Sequence, residues 1–220
     1  MKDLNKIGLK YGTDKVNGHN YAQPYMFHLS RYEDKAINLL EIGIGGDADI
    51  NDGGQSLRMW KEYFPKARIF GIDIYDKSKH IEDRIEIFKG DQTDAQFLND
   101  VCCHIGQIDV IIDDGSHVNG HVIATFKTLF PLLKDGGIYV IEDTQTSYWK
   151  QYGGSMDLKQ EGTSMNFFKA LTDSLNNSEF PVQGYQKTYY DSNILSIHFY
   201  HNLIFVYKGK NTEQSNVIKQ

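Results

Sequence analysis

Two aspartates and two histidines stand close together at the end of an apolar run, in the string IIDDGSHVNGH at 111–121. Asp113, Asp114, His117 and His121 admit three kinds of chemistry: ligation of a hard metal ion, a proton relay, or the polar cap of a helix. Which of these applies depends on what the neighbouring elements bring beside them.

The bulk properties narrow the partners first. The chain has 220 residues, 40% hydrophobic and 24% charged, an ordinary globular composition long enough for a substantial single core. A formal net charge of -6 and the lack of a long basic run disfavour nucleic acid. No apolar run approaches the roughly 18–20 residues that span a bilayer, and the opening MKDLNKIGLKYGTDK lacks a signal-peptide core. Cys102 and Cys103 are neighbours, unsuited to a zinc clip or a relaxed disulfide, and read as small residues in a helix. A protein of the cytoplasm, with no membrane partner, is expected.

From residue 36 onward, strand-length apolar runs alternate with helical patterns. The strands are AINLLEIG (36–43), RIFGID (68–73), RIEIFKG (84–90), IDVIIDD (108–114) and GGIYVIED (136–143). Between them GQSLRMWKEYF (54–64), DAQFLNDVCCHI (94–105, Asp94 as N-cap) and HVIATFKTLFPLL (121–133) read as helices. Such alternation predicts βαβ units and a parallel sheet covered on both faces. The end of the chain differs: TSMNFFKALTDSL (163–175) is helical, and SNILSIHFY and LIFVYKG flank His201–Asn202 as an antiparallel hairpin. His198 and His201, in or beside it, are read as surface or packing residues. The expected organisation is a leader over 1–35, one α/β domain over 36–210 and a polar tail over 211–220.

The strands end in polar residues: Gly43 and Gly45 after the first, Asp73 after the second, Asp91-Gln92 after the third, Asp113-Asp114 after the fourth and Glu142-Asp143 after the fifth. Ligands of open α/β sheets bind outside the carboxyl ends of the strands. Glycine allows close approach to the backbone, and an acid after the second strand can accept from both ribose hydroxyls. The first loop continues through DADINDGG before its helix, so it is not the dinucleotide fingerprint. A nucleoside without phosphates suits it better.

These features resemble a class I S-adenosylmethionine-dependent methyltransferase: E-x-G-x-G at the first strand, an acid closing the second, a terminal antiparallel hairpin. The strings KYGTDKVNGHNY (10–21), GGQSLRMWKEYFP (53–65), GIDIYDKS (71–78), GDQTD (90–94), IIDDGSH (111–117) and IEDTQTSYW (141–149) are similar to those of the macrocin O-methyltransferase family, which methylates sugar hydroxyls on macrolides. The resemblance covers roughly residues 9–150. It implies a Rossmann-like fold with a mostly parallel seven-stranded sheet. A large extra N-terminal domain, present in some members, is not expected.

The resemblance also implies a divalent metal held by Asp114, Glu142 and Asp143. Three carboxylates without thiolates suit Mg²⁺, with Mn²⁺ or Ca²⁺ as alternatives. His117 matches the family's general base, and the catalytic pair is then His117 and Asp114. His121 has no motif match and is read as support. For the cofactor, Asp73 is the ribose ligand, and Asp91 and Gln92 are candidates for the adenine. Gly43, Gly45, Gln55 and Ser56 surround the amino-acid end. Asp113, on the far side of the strand from Asp114, faces the cofactor's methionine end or makes structural hydrogen bonds. The leader, with Lys15, His19 and Tyr21, is either an amphipathic helix or a lid over the site. Tyr148 and Trp149 are a sugar-stacking wall or packing. The expected reaction is methylation of a sugar hydroxyl on a small-molecule acceptor, in a protein that could be a homo-oligomer. The alternatives are a catechol-like acceptor or a cofactor-binding module without catalysis.

Overall fold

Runs of isoleucine, leucine and valine buried on both faces form the inner strands here, and the segments between the parallel strands return mostly as helices. The computed structural model describes residues 2–215 and 217. Three helices open the chain: α1 (Leu4–Tyr11), α2 (Asp14–Asn17) and α3 (Ala22–Leu29). Strand and helix then alternate as β1 (Asn38–Ile42), α4 (Gln55–Tyr63), β2 (Arg68–Asp73), β3 (Ile85–Lys89), α5 (Ala95–Ile105), β4 (Ile108–Asp113), α6 (Asn119–Leu129) and β5 (Leu133–Ile141). The last elements are α7 (Ser164–Ser174), α8 (Tyr189–Asn193) and the hairpin β6 (Ile194–Tyr200) and β7 (Leu203–Lys208).

The seven strands form one sheet in the order β3-β2-β1-β4-β5-β7-β6. β1 to β5 pair in parallel, and β7 runs antiparallel between β5 and β6. This is the mostly parallel seven-stranded sheet with a terminal antiparallel hairpin that the resemblance implies. The order reverses between β1 and β4, so a crevice opens there beyond the strand ends.

Alternation along each strand divides the core into two layers. Leu39, Ile112 and Val140 face one layer with Trp60 and Tyr63 of α4, while Leu40, Ile111 and Tyr139 face the other with Phe126 of α6 and Phe168 of α7. Tyr21, Tyr25 and Leu29 belong to the first layer, so the leader is built into the core rather than laid over it.

Boundaries differ from the sequence expectation where proline intervenes. α6 spans Asn119–Leu129 instead of 121–133, because Pro131 has no N–H to continue it and a short 3₁₀ turn follows. β5 begins at Leu133, ahead of the glycine turn expected to open it. Asp94 caps α5 as expected, accepting from the N–H groups of Gln96 and Phe97 at 3.0 Å. Cys102 is buried and Cys103 exposed on that helix. Of the polar tail, residues 216 and 218–220 lie outside the described residues. No helix among the described residues is long and apolar enough to cross a membrane.

Candidate functional site

The crevice at the β1/β4 reversal is a cavity of about 630 Å³. Its wall on the β1 side is the loop after the strand. Gly43 has φ 78, and a Cβ there would sit 2.1 Å from the Asp114 carbonyl oxygen, so only glycine lets β1 and the β4 loop approach this closely. Gly45, at φ 76, has open space where its Cβ would be. Asp73 holds this loop in place, accepting at Oδ2 from the Ile44 N–H (3.1 Å) and at Oδ1 from the Tyr75 N–H (2.9 Å). Lys77, buried, donates to the carbonyls of Asp49 (2.8 Å) and Asp52 (2.9 Å) and braces the far end of the loop. Gln55 and Ser56, at the start of α4, line the same cavity, as does Asp91, whose Oδ1 accepts from the Thr93 N–H and hydroxyl.

Two expected cofactor residues stand differently. Asp113 does not line the cavity. It is the last residue of β4 and points into the other layer, where Gln92 (3.3 Å) and Tyr139 (3.4 Å) donate to it. Burial pushes its carboxyl up to about 7. The structural one of its two expected roles is therefore the one its surroundings fit. Gln92 does reach the cavity, but its amide is already engaged. Its Oε1 accepts from the Ser116 N–H (2.7 Å) and its Nε2 donates to Thr125 (3.0 Å), so it braces the turn that carries His117.

At the opposite wall Asp114, His117 and Asp143 come together, with one ligand atom of each within 4.8 Å of the others. His117 Nε2 lies 4.0 Å from Asp114 Oδ1 and 3.8 Å from Asp143 Oδ2. His117 and Asp143 both adopt the left-handed backbone, at φ 57 and 53, a conformation uncommon outside glycine. Such strain is retained where the surroundings over-determine it, often at functional sites. His121 lines the cavity too, its Nδ1 2.9 Å from the Ser116 hydroxyl.

Glu142, expected beside them, turns toward the leader. Strand alternation puts it in the layer of Tyr25, whose hydroxyl donates to its Oε1, and Lys15 Nζ reaches the same oxygen at 2.8 Å. The Lys15 ammonium also donates to Asp114 Oδ2 at 2.6 Å. It lies 3.2 Å from Glu41 Oε1, close enough for ion pairing though not aligned as a hydrogen bond. Burial works against the Lys15 charge, but Asp114, Glu142 and Glu41 outweigh it and hold its pKa well above the usual lysine range. Burial and the Asp114 charge raise the Glu142 carboxyl, against the pull of Lys15. Tyr21 completes the set, donating to Asp143 Oδ1 at 2.7 Å.

Asp114 and Asp143 present oxygens to the cavity and suit a hard divalent cation. Glu142 does not line the cavity, though no hydrogen bond among the described residues reaches its Oε2. Glu41 and Tyr25 were not anticipated as site residues, and Lys15 and Tyr21 only within the lid reading of the leader, not as partners of the acids. Glu41 stood in the E-x-G-x-G string and Lys15 and Tyr21 in the leader string, yet nothing in their spacing announces contact with β4 and β5.

With this geometry in view, comparison with known proteins is informative. A model described as a methyltransferase domain matches residues 48–144. The chain is 43% identical over 212 residues to the 8-demethyl-8-alpha-L-rhamnosyl tetracenomycin-C 2'-O-methyltransferase of Streptomyces olivaceus, covering 96% of this chain and 56% of that protein. It is also 43% identical to the demethylmacrocin O-methyltransferase of Streptomyces fradiae, covering 96% and 54%. A solved structure of the MycE methyltransferase from the mycinamycin biosynthetic pathway, in complex with Mg, SAH and mycinamycin VI, superposes with a TM-score of 0.94 at 42% identity. That match covers 100% of this chain and 57% of the other. The chain thus spans about half the length of the curated relatives it matches. It has the class I methyltransferase fold and is similar over nearly its whole length to the macrocin- and mycinamicin-type sugar O-methyltransferases.

Proposed function

We propose that this domain transfers a methyl group from S-adenosylmethionine to a sugar hydroxyl of a small-molecule acceptor, with a divalent cation, Mg²⁺ foremost, at its acidic cluster. One observation carries the reading: the glycine loop with Asp73 and the cluster of Asp114, His117 and Asp143 line a single cavity. A nucleoside cofactor held at one wall would present its methyl toward the other. The named relatives supply the acceptor class, since they act on rhamnosylated tetracenomycin and on demethylmacrocin.

In this reading residues 36–210 carry the chemistry. Asp73 accepts from the ribose hydroxyls with its remaining lone pairs, and Asp91 takes the adenine end. Gly43, Gly45, Gln55 and Ser56 surround the amino-acid end. Asp114, Asp143 and Glu142 would hold the cation through oxygen, which leaves the His117 imidazole free as base. The cation, when bound, lowers the pKa of a hydroxyl it touches. His117 accepts the hydroxyl proton at Nε2, and the oxygen attacks the methyl in line. The new O–CH₃ bond forms as the S–CH₃ bond breaks, and the sulfonium leaves as the neutral thioether. His117 is held for this step by the turn that Gln92 braces.

The test is methyl transfer by the purified domain to a rhamnosylated aglycone. S-adenosylhomocysteine should bind in a calorimetric titration, EDTA should abolish transfer, and Mg²⁺ should restore it. A His117→Ala substitution should lower turnover by about 10²–10⁴-fold. Full turnover in metal-free buffer rejects the cation, and undiminished turnover of His117→Ala rejects the base.

A further inference from the structure

The acidic cluster is gripped from outside by the leader, one oxygen at a time. Lys15 holds Asp114 by Oδ2 at 2.6 Å. Lys15 and the Tyr25 hydroxyl hold Glu142 by Oε1. The Tyr21 hydroxyl holds Asp143 by Oδ1 at 2.7 Å, with His19 Nδ1 3.3 Å from the same oxygen. The other oxygen of each carboxylate is left over. Asp114 Oδ1 and Asp143 Oδ2 are those nearest His117, and Glu142 Oε2 takes no hydrogen bond among the described residues.

The grip is rigid. Lys15, Tyr21 and Tyr25 are each at most 1% exposed, and Tyr25 packs edge-on against Trp60 and Phe205. A carboxylate free to rotate presents either oxygen, or both, to a cation. One whose first oxygen is bonded to a fixed donor presents only the second. Donors of this kind around a metal site typically account for about 10–100-fold in metal affinity.

We propose that Tyr21, Tyr25 and Lys15 are positioning residues for a divalent cation, and that the leader is a structural part of that site as well as a wall of the cavity. This rests on the reading above that the cluster binds a cation. Tyr21 and Tyr25 orient their carboxylates without adding charge. Lys15 orients two of them and offsets part of their mutual repulsion.

Mn²⁺ is the probe, its free concentration read by electron paramagnetic resonance, in the presence of S-adenosylhomocysteine. Tyr21→Phe and Tyr25→Phe remove one hydroxyl each and keep the ring that packs in the core. Tyr63→Phe is the control, because Tyr63 lies in the same layer and its buried hydroxyl has no hydrogen-bond partner. The expected result is a Kd for Mn²⁺ raised about 10–100-fold in Tyr21→Phe and raised in Tyr25→Phe. Tyr63→Phe should match the parent, and S-adenosylhomocysteine affinity should be unchanged in all three. If the parent binds Mn²⁺ and both Tyr21→Phe and Tyr25→Phe bind it equally well, the positioning role is overturned while the cation site stands. If the parent itself binds no Mn²⁺, the cation reading fails and this inference with it. Should one substituted protein not fold, the other decides.

Discussion

Gly43 and Gly45 share a left-handed backbone but not a neighbourhood, and substitution separates the two effects. At Gly43 a Cβ would meet the Asp114 carbonyl at 2.1 Å, a contact that neither β1 nor the β4 loop can relieve without breaking the register between Ile42 and Asp113. At Gly45 nothing lies within 4 Å, so the cost is the backbone conformation alone. Gly45→Ala should therefore lose about 1–2 kcal/mol, and Gly43→Ala clearly more, on the order of 3–5 kcal/mol. Urea denaturation of both proteins measures the difference, and equal losses would contradict the steric account. Asp143 and His117 reach similar φ values without being glycine, so at those positions the side chain, not the freedom of the backbone, is what the site requires.

Among the elements, the loop between β1 and α4 depends on a residue outside it. Lys77, 1% exposed, ties that loop through the carbonyls of Asp49 and Asp52 and contributes nothing to the cavity wall itself. Lys77→Met should keep the sheet folded yet release the loop, weakening S-adenosylhomocysteine binding about tenfold in a calorimetric titration. An unchanged affinity would mean the loop holds its shape through Asp73 alone. The loop's place was readable in the sequence, because apolar runs buried on both faces can only be inner strands, and polar residues then mark their ends. His117 was marked by the family resemblance, while the same logic located Asp73, Asp114 and Asp143. It also put Asp113 on the opposite face from Asp114, but periodicity cannot say which face holds the ligand, and Asp113 lies under Tyr139 instead. That Lys15, Tyr21 and Tyr25 bond to Asp114, Glu142 and Asp143 escaped for another reason. Their partners lie 99 to 127 residues away, and no local pattern reports a contact of that span.

For the whole molecule, the leader is joined to the sheet a second time at His28, which links α3 to the terminal hairpin. His28 is 2% exposed and stacks on Phe205, with Nδ1 2.7 Å from the Tyr207 hydroxyl and Nε2 2.9 Å from the Tyr200 hydroxyl. A neutral imidazole satisfies both, donating at one nitrogen and accepting at the other. Burial, then the neighbouring His198 and Arg31, lowers its pKa from 6.5 to about 4. The folded state therefore binds fewer protons than the unfolded chain between those values, and stability falls as pH drops through that window. The loss from this group amounts to roughly 3 kcal/mol at most, complete near pH 4 and absent above about pH 7. Glu142 and Asp114 act with the opposite sign, since burial raises their folded pKa values and acid favours their folded forms. A His28→Gln substitution isolates the histidine: it keeps a donor and an acceptor but cannot take up the proton. Urea midpoints measured from pH 7 to pH 4.5 should fall less steeply for His28→Gln than for the parent protein. Parallel curves would show that the join between leader and hairpin is not what makes the fold sensitive to acid.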